Sequence, residues 1–216
     1  MGEDVIQAIR RQRLIAIVRL EDSAALPRAA EALAAAGVQA IEFSLAGASV
    51  VEFLRHARQM LPREVALGAG TVLDRSTALA CIEAGADFIV SPGFHSEVVI
   101  TCQAAGVPVI AGAMTPTEIH HAYEHGAALV KVFPAAVLGP RFFRDIRAPL
   151  PQIPLVAIGG LSAENAKDYL QAGAVAVGVG NGLVSPRLGV GADWSGLTAR
   201  ARALLELVGG SEPIPE

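Results

Sequence analysis

The run Leu129-Val130-Lys131-Val132-Phe133-Pro134 carries a primary amine where an apolar strand is expected, and the chain holds only one other lysine, Lys167, against fifteen arginines. Lysine is a common surface charge, so its scarcity here makes Lys131 conspicuous. A cation in a buried strand has to be paired, neutralised or used. Desolvation disfavours the ammonium, lowers its pKa and frees the lone pair that attacks a carbonyl carbon. At an unperturbed pKa near 10.4 about 0.04% of the amine is free base at pH 7, and at a pKa near 7.5 roughly a quarter would be. Two readings fit the strand alone: a nucleophilic amine, and a lysine paired with a structural carboxylate. A carboxylate is at hand in Ile41-Glu42-Phe43-Ser44-Leu45, where Glu42 interrupts an apolar run in the same way. Beside a carbonyl bound to the amine, Glu42 would move protons as general acid and base; otherwise it is the structural partner.

The elements that must bring these residues together show in the period of the sequence. Short runs rich in branched aliphatics alternate with alanine-rich segments of helical pattern, through eight rounds. The spacing predicts strands at 14–20, 40–45, 66–72, 88–92, 107–112, 128–134, 154–160 and 174–180, with helices between them. Ala36-Gly37-Val38, Ala84-Gly85-Ala86, Ala105-Gly106-Val107 and Ala172-Gly173-Ala174, with His125-Gly126-Ala127 as a variant, read as glycine stops just before strands. Repeated helix stops followed by continuous apolar strands require parallel strands covered by helices. Eight such units close a (β/α)8 TIM barrel, expected as a single domain over 1–216 with a frayed tail at 211–216. The alternative is an open doubly wound sheet, but Arg19-Leu20-Glu21-Asp22 stands where a Gly-x-Gly-x-x-Gly turn would follow the first strand.

In a barrel the active site lies at the C-terminal ends of the strands. Alternation sends Lys131 and Phe133 to one face and Val130 and Val132 to the other, and it sends Glu42 inward while Ile41, Phe43 and Leu45 face the helices. The third strand ends Gly68-Ala69-Gly70-Thr71, whose small residues are expected to leave lumen space for a ligand beside a hydroxyl. The fourth ends Ser91-Pro92-Gly93-Phe94, a sharp exit that can wall a pocket. Gly159-Gly160-Leu161-Ser162 follows the seventh strand, and Gly178-Val179-Gly180-Asn181-Gly182 ends the eighth. Read as bare glycine patterns these are tight turns; read at those loop positions they are anion cradles, where barrel enzymes often hold phosphate.

Composition removes several function classes. A net charge of −4 without a basic block gives no electrostatic footprint for nucleic acid or an anionic membrane surface. No apolar stretch approaches the roughly 20 residues of a membrane span, and the polar opening Met1-Gly2-Glu3-Asp4 is no secretory signal, so a cytoplasmic location is expected. Cys81 and Cys102 lie in separate helical segments and read as reduced, buried thiols. His120, His121 and His125, with Glu118 and Glu124, fall on a predicted helix outside the barrel. The 121/125 spacing suits two metal ligands, but no third is spaced to join them, and an exposed helix face is the simpler account. The 185–193 stretch reads as a loop before a last helix ending near Gly209-Gly210, anchored by packing of Trp194.

Several motifs occur together and in order: IEFSL at 41–45, GAGTVLD at 68–74, FIVSPGF at 88–94, MTPTEI at 114–119, LVKVFPA at 129–135, GP at 139–140 and IGGLSAENAKDYL at 158–170. From about residue 14 to 184 the chain resembles the class I aldolases that cleave 2-keto-3-deoxy-6-phosphogluconate, its phosphogalactonate epimer and, in some members, 4-hydroxy-2-oxoglutarate. The resemblance implies that Lys131 forms a Schiff base with the 2-keto carbon and that Glu42 shuttles protons through a water. It also implies that Arg19 grips the substrate, that Thr71 touches it, and that Pro92 and Phe133 shape the pocket. Gly159, Gly160, Gly180 and Asn181 would bind the distal phosphate. Such aldolases need no metal or organic cofactor, are typically homotrimers, and act in Entner-Doudoroff carbohydrate metabolism, releasing pyruvate and glyceraldehyde 3-phosphate.

Two departures bear on the substrate. After the glutamate, gluconate-type enzymes commonly read Thr-Leu-Arg-Thr and galactonate-type ones Pro-Leu-Asn-Ser, whereas this chain reads Ser44-Leu45-Ala46-Gly47 after Phe43. Asn181 replaces the usual serine of the last loop. Either Arg19 carries the missing grip or the substrate lacks the group being held, as 4-hydroxy-2-oxoglutarate, which yields pyruvate and glyoxylate, lacks a phosphate. A phosphosugar isomerase and a non-catalytic keto-acid-binding barrel are the readings from other classes.

Overall fold

All eight predicted runs contain strands, and these pair in parallel, in chain order, into a closed ring. The structure is a computed structural model that describes residues 2–45 and 50–210, so the departures at Ala46 and Gly47 and the tail 211–216 lie outside the described residues. The strands are β1 (Leu14–Val18), β2 (Ala40–Ser44), β3 (Ala66–Gly70), β4 (Phe88–Val90), β5 (Val109–Ala113), β6 (Leu129–Val132), β7 (Leu155–Ile158) and β8 (Ala176–Val179). Ile17 of β1 stands opposite Glu42 of β2, and Ile15 stands opposite Gly178 of β8, the pairing that shuts the ring. An open doubly wound sheet would leave β1 and β8 apart, so that alternative falls. The predicted runs overshoot the observed strands because apolar residues continue past the ladder into the loop roots, where Leu20 and Val72 stay buried.

The helices after the strands are α2 (Leu26–Ala35), α3 (Val50–Met60), α4 (Arg75–Glu83), α5 (Ser96–Ala104), α6 (Pro116–Glu124), α7 (Ala135–Arg147), α8 (Ala166–Gln171) and α9 (Trp194–Gly209). Their ends follow the sequence chemistry. Asp74 accepts from the Thr77 N–H at 2.8 Å to start α4, and Thr115 with Glu118 forms a capping box on α6. Gly85 and Gly173, two of the predicted stops, take φ of 95° and 108°, which a side chain would oppose. A further helix, α1 (Gly2–Gln12), precedes β1 and lies outside the strand–helix alternation that the sequence displays.

Two shells of core follow from the ring. Outward strand residues such as Ile41, Phe43, Val130 and Val132 pack beneath the helices. Inward residues, among them Ile15, Ile17, Phe88, Ile110, Leu129 and Val156, fill the lumen together with Ile9 of α1. Each such side chain stabilises the fold by about 1.5–3 kcal/mol when fully buried. Ile9 is fully buried, and Val5 and Ile6 pack beside it, so α1 plugs the N-terminal end of the barrel. The opposite end is left for the loops. Counting inward from Ala40 and Leu129 by twos reaches Glu42, Ser44 and Lys131.

Candidate active site

Glu42 and Lys131 are buried on the lumen face, with 2% and 6% of their surface exposed. Burial is the main influence on both. It holds the Glu42 carboxyl above its ordinary 4.5, against the opposing pull of Lys131 and then Arg19. It also pushes the Lys131 amine below 10.5, against the raising effect of Glu42, while the Arg19 charge pushes the amine further down. Among the described residues, the buried Oε2 atom of Glu42 has no hydrogen-bond partner.

The glycines of β3 have a different use from the one expected. The space beside Gly70 is filled by the Glu42 carboxylate and the space beside Gly68 by the Phe88 ring, so a methyl group at either position would collide. These residues are small because neighbouring strands project into them, not to leave room for a ligand. Gly112, level with Lys131 in the β5–β6 register, backs onto the Pro92 carbonyl in the same way. Pro92, half-buried, is thereby held against β5 at the level of the amine. Phe133 lies just past β6 and is about one-third exposed; the Lys131 Nζ sits 4.9 Å from its ring centroid. A cation over an aromatic face favours the ammonium, so the ring tempers the effect of burial.

Arg19 follows β1 directly, and its Nε donates to the Ser44 Oγ at 3.3 Å. Ser44 Oγ lies 2.9 Å from Thr71 Oγ1, linking the ends of β1, β2 and β3. Thr71 takes φ of 65°, a left-handed conformation that is costly for a β-branched residue and is usually held by its surroundings.

The two glycine loops meet at the same end. Gly159 and Gly160 take φ of 99° and 76°; the first abuts the Phe133 ring and the second abuts Ala136. Asn165 braces this loop, accepting from the Ser162 N–H at 3.0 Å and donating to the Gly160 carbonyl at 3.1 Å. Gly182 packs against the Leu161 carbonyl, so the loop after β8 rests on the loop after β7. The Gly180 carbonyl accepts from Leu183 and Val184, which turns the chain sharply and leaves the Asn181 side chain exposed. The predicted site residues thus fall at the C-terminal ends of β1, β2, β3, β4, β6, β7 and β8.

Sequence reasoning missed Ser44 as a link and Asn165 as a brace. Ser44 had a signal, since it shares a face with Glu42 two residues earlier. Asn165 had none beyond a polar residue three positions after Ser162. Away from the site, His121 and His125 of the α6 end stack with Phe94, at centroid distances of 4.0 Å from each other and 4.5 Å from Phe94 to His121. Cys81 and Cys102 are free and fully buried, and burial pushes their thiols up to about 11 and about 12. Trp194 packs on the core and donates through Nε1 to the Val190 carbonyl. No helix of the described residues is long and apolar enough to cross a membrane.

Fold and site together define a TIM barrel whose lumen presents a buried amine and a buried acid toward the C-terminal ends of its strands. Residues 5–199 match the family described as KDPG and KHG aldolase, and the chain belongs to that family, whose members are lyases. It is 35% identical over 209 residues to the 2-dehydro-3-deoxy-phosphogluconate aldolase of Treponema pallidum (strain Nichols), spanning 95% of this chain and 98% of the relative. It is 37% identical over 118 residues to the 2-dehydro-3-deoxy-6-phosphogalactonate aldolase of Escherichia coli (strain K12), spanning 54% and 58% of the two chains. Among solved structures it superimposes with a TM-score of 0.78, at 26% identity, on the KDPG aldolase of Legionella pneumophila with pyruvate captured at low pH as a covalent carbinolamine intermediate. That superposition covers 96% of this chain and 97% of the other.

Proposed function

We propose that the chain cleaves a 2-keto-3-deoxy-6-phospho sugar acid of the gluconate or galactonate type to pyruvate and glyceraldehyde 3-phosphate through an imine on Lys131. The observation that carries the reading is the joint burial of Lys131 and Glu42 on the lumen face, which drives the amine toward its free base and the acid toward its protonated form. The relative from Legionella pneumophila, with pyruvate held as a covalent carbinolamine, supports it.

The Lys131 lone pair attacks C2 of the keto acid; Glu42, which enters protonated, gives its proton to the departing hydroxyl, so loss of water from the carbinolamine leaves an iminium and a Glu42 carboxylate. The iminium withdraws electrons from C3. The C4 hydroxyl proton passes to Glu42 through a water, the C3–C4 electron pair flows into the iminium, and an aldehyde departs. The enamine that remains takes a proton at C3 from Glu42. Water then hydrolyses the resulting iminium, releasing pyruvate and the free amine. Arg19 and Thr71 hold the C1 carboxylate, Pro92 and Phe133 wall the reacting carbons, and Gly159, Gly160, Gly180 and Asn181 cradle the phosphate with backbone and amide N–H groups. The reading includes a cytoplasmic homotrimer, as the family resemblance implies.

Because the matching family is described by both KDPG and KHG, 4-hydroxy-2-oxoglutarate is the second candidate substrate. Pyruvate release measured across the three substrates decides between them, and an order-of-magnitude preference in kcat/KM names the substrate. Borohydride reduction in the presence of pyruvate is expected to leave a covalent adduct on Lys131 and to abolish turnover. Full turnover by Lys131→Ala, or an unlabelled Lys131, would contradict the mechanism; turnover insensitive to borohydride would favour the isomerase reading, and reversible pyruvate binding without cleavage of any substrate the binding-protein reading.

A further inference from the structure

We infer that Ser44 is a positioning residue of this site: it ties the Arg19 guanidinium to the Thr71 hydroxyl and orients the Thr71 proton toward the C1 carboxylate of the bound keto acid. The inference rests on the keto-acid reading above and adds a residue that neither motif nor resemblance assigns.

The direction of the hydrogen bonds carries it. An arginine Nε only donates, so the Ser44 Oγ accepts from Arg19 at 3.3 Å. The remaining question is which hydroxyl donates across the 2.9 Å between Ser44 Oγ and Thr71 Oγ1. If Thr71 donated, Ser44 would accept twice, and its own proton would be stranded at a position 2% exposed, where an unmet donor is destabilising. No second acceptor for that proton is found among the described residues. If Ser44 donates, the three groups form one polarised chain from guanidinium to Ser44 to Thr71, each bond strengthening the next. The Thr71 proton is then free to point away from Ser44, toward an acceptor in the lumen.

Two further observations fit a ligand acceptor at that point. Thr71 holds a left-handed backbone at φ 65°, and such outliers persist where neighbouring contacts over-determine them. The Arg19 Nε sits 3.3 Å from the Ser44 hydroxyl, two residues past Glu42 on the same inward face, and the Arg19 charge acts on both Lys131 and Glu42. A carboxylate next to the carbonyl that Lys131 attacks is the group that a guanidinium and a polarised hydroxyl would receive together.

The test is borohydride trapping of Lys131 over a range of pyruvate concentrations. Ser44→Ala is expected to raise the half-saturating pyruvate concentration about tenfold, the loss of one charge-assisted contact, while trapping at saturation stays at the wild-type level. Ser44→Thr, which keeps the hydroxyl, is expected to return the value to within about twofold of wild type. Thr71→Val should add little once Ser44→Ala is present, since both act on one chain of bonds. Unchanged half-saturation in Ser44→Ala, equal damage in Ser44→Thr, or additive losses with Thr71→Val would each overturn the inference while leaving the aldolase reading intact. A wild-type protein that traps no pyruvate at all would overturn both.

Discussion

Lys131 and Glu42 owe their opposite shifts to one cause. Water is withheld from both, so the amine gives up its proton more readily than a free lysine and the carboxyl holds its proton more tightly than a free glutamate. The groups around them then act with predictable sign. Glu42 raises the Lys131 pKa, so Glu42→Gln removes that influence, and the pH profile of pyruvate trapping on Lys131 should move toward acid. Arg19 lowers the Lys131 pKa, so Arg19→Leu should move the same profile toward alkali. Trapping rates at saturating pyruvate between about pH 5 and 9 measure both midpoints. An unmoved midpoint in both variants would mean that the amine does not sense these neighbours, and shifts in the same direction would contradict the opposite signs assigned to them. The isolated strand run leaves open whether Lys131 is a nucleophile or a paired structural charge; an amine pushed down by burial, sharing the lumen face with an acid whose Oε2 has no partner among the described residues, supports the nucleophile proposed above.

At the scale of the elements, β2 and β3 fit by subtraction. Gly70 has no side chain because the Glu42 carboxylate occupies that volume from the adjacent strand. Gly70→Ala should therefore displace the acid without touching the amine. Turnover is expected to fall by roughly a hundredfold, the usual worth of a positioned general base, and overpacking should remove about 1–3 kcal/mol of stability. Trapping of pyruvate on Lys131 should survive, and a variant with undiminished kcat would show that Glu42 need not stand where it does. The direction in which Glu42 and Lys131 point was legible beforehand because the two-residue period of a strand is a backbone property, independent of what lies across from it. The partner of Gly70 was not legible, because it belongs to the neighbouring strand and depends on register. Ser44 posed the same difficulty. Its inward face could be counted from Glu42, but its link to Arg19 and Thr71 exists only once three strand ends converge. Asn165 braces its loop through two backbone groups, and asparagine at that spacing is too common in turns to announce the role.

The whole molecule is a ring with one end stoppered by α1 and the other lined by the strand ends that carry the candidate site. The repeating alternation of strands and helices made the ring legible, whereas α1 stands outside the repeat and its plug became visible only with the lumen closed above it. Ile9 is the innermost part of that plug and is fully buried among inward residues of the strands. Ile9→Ala is expected to lower unfolding stability by about 2–5 kcal/mol in denaturant titrations. Pyruvate trapping under native conditions should remain normal, because the amine lies at the far end of the lumen. A change of under half a kcal/mol would mean the lower lumen can relax around the lost side chain.

The β1–β8 pairing joins Leu14 to Val177 and Ala16 to Val179, residues from nearly opposite ends of the sequence. On the ribosome, β1 emerges early and waits with one bare edge of backbone donors and acceptors until β8 follows. Throughout that interval the nascent chain is an open, curling sheet able to recruit a strand from a neighbour on the same message. Translation speed between β1 and β8 therefore sets how long the newborn protein is exposed to that hazard.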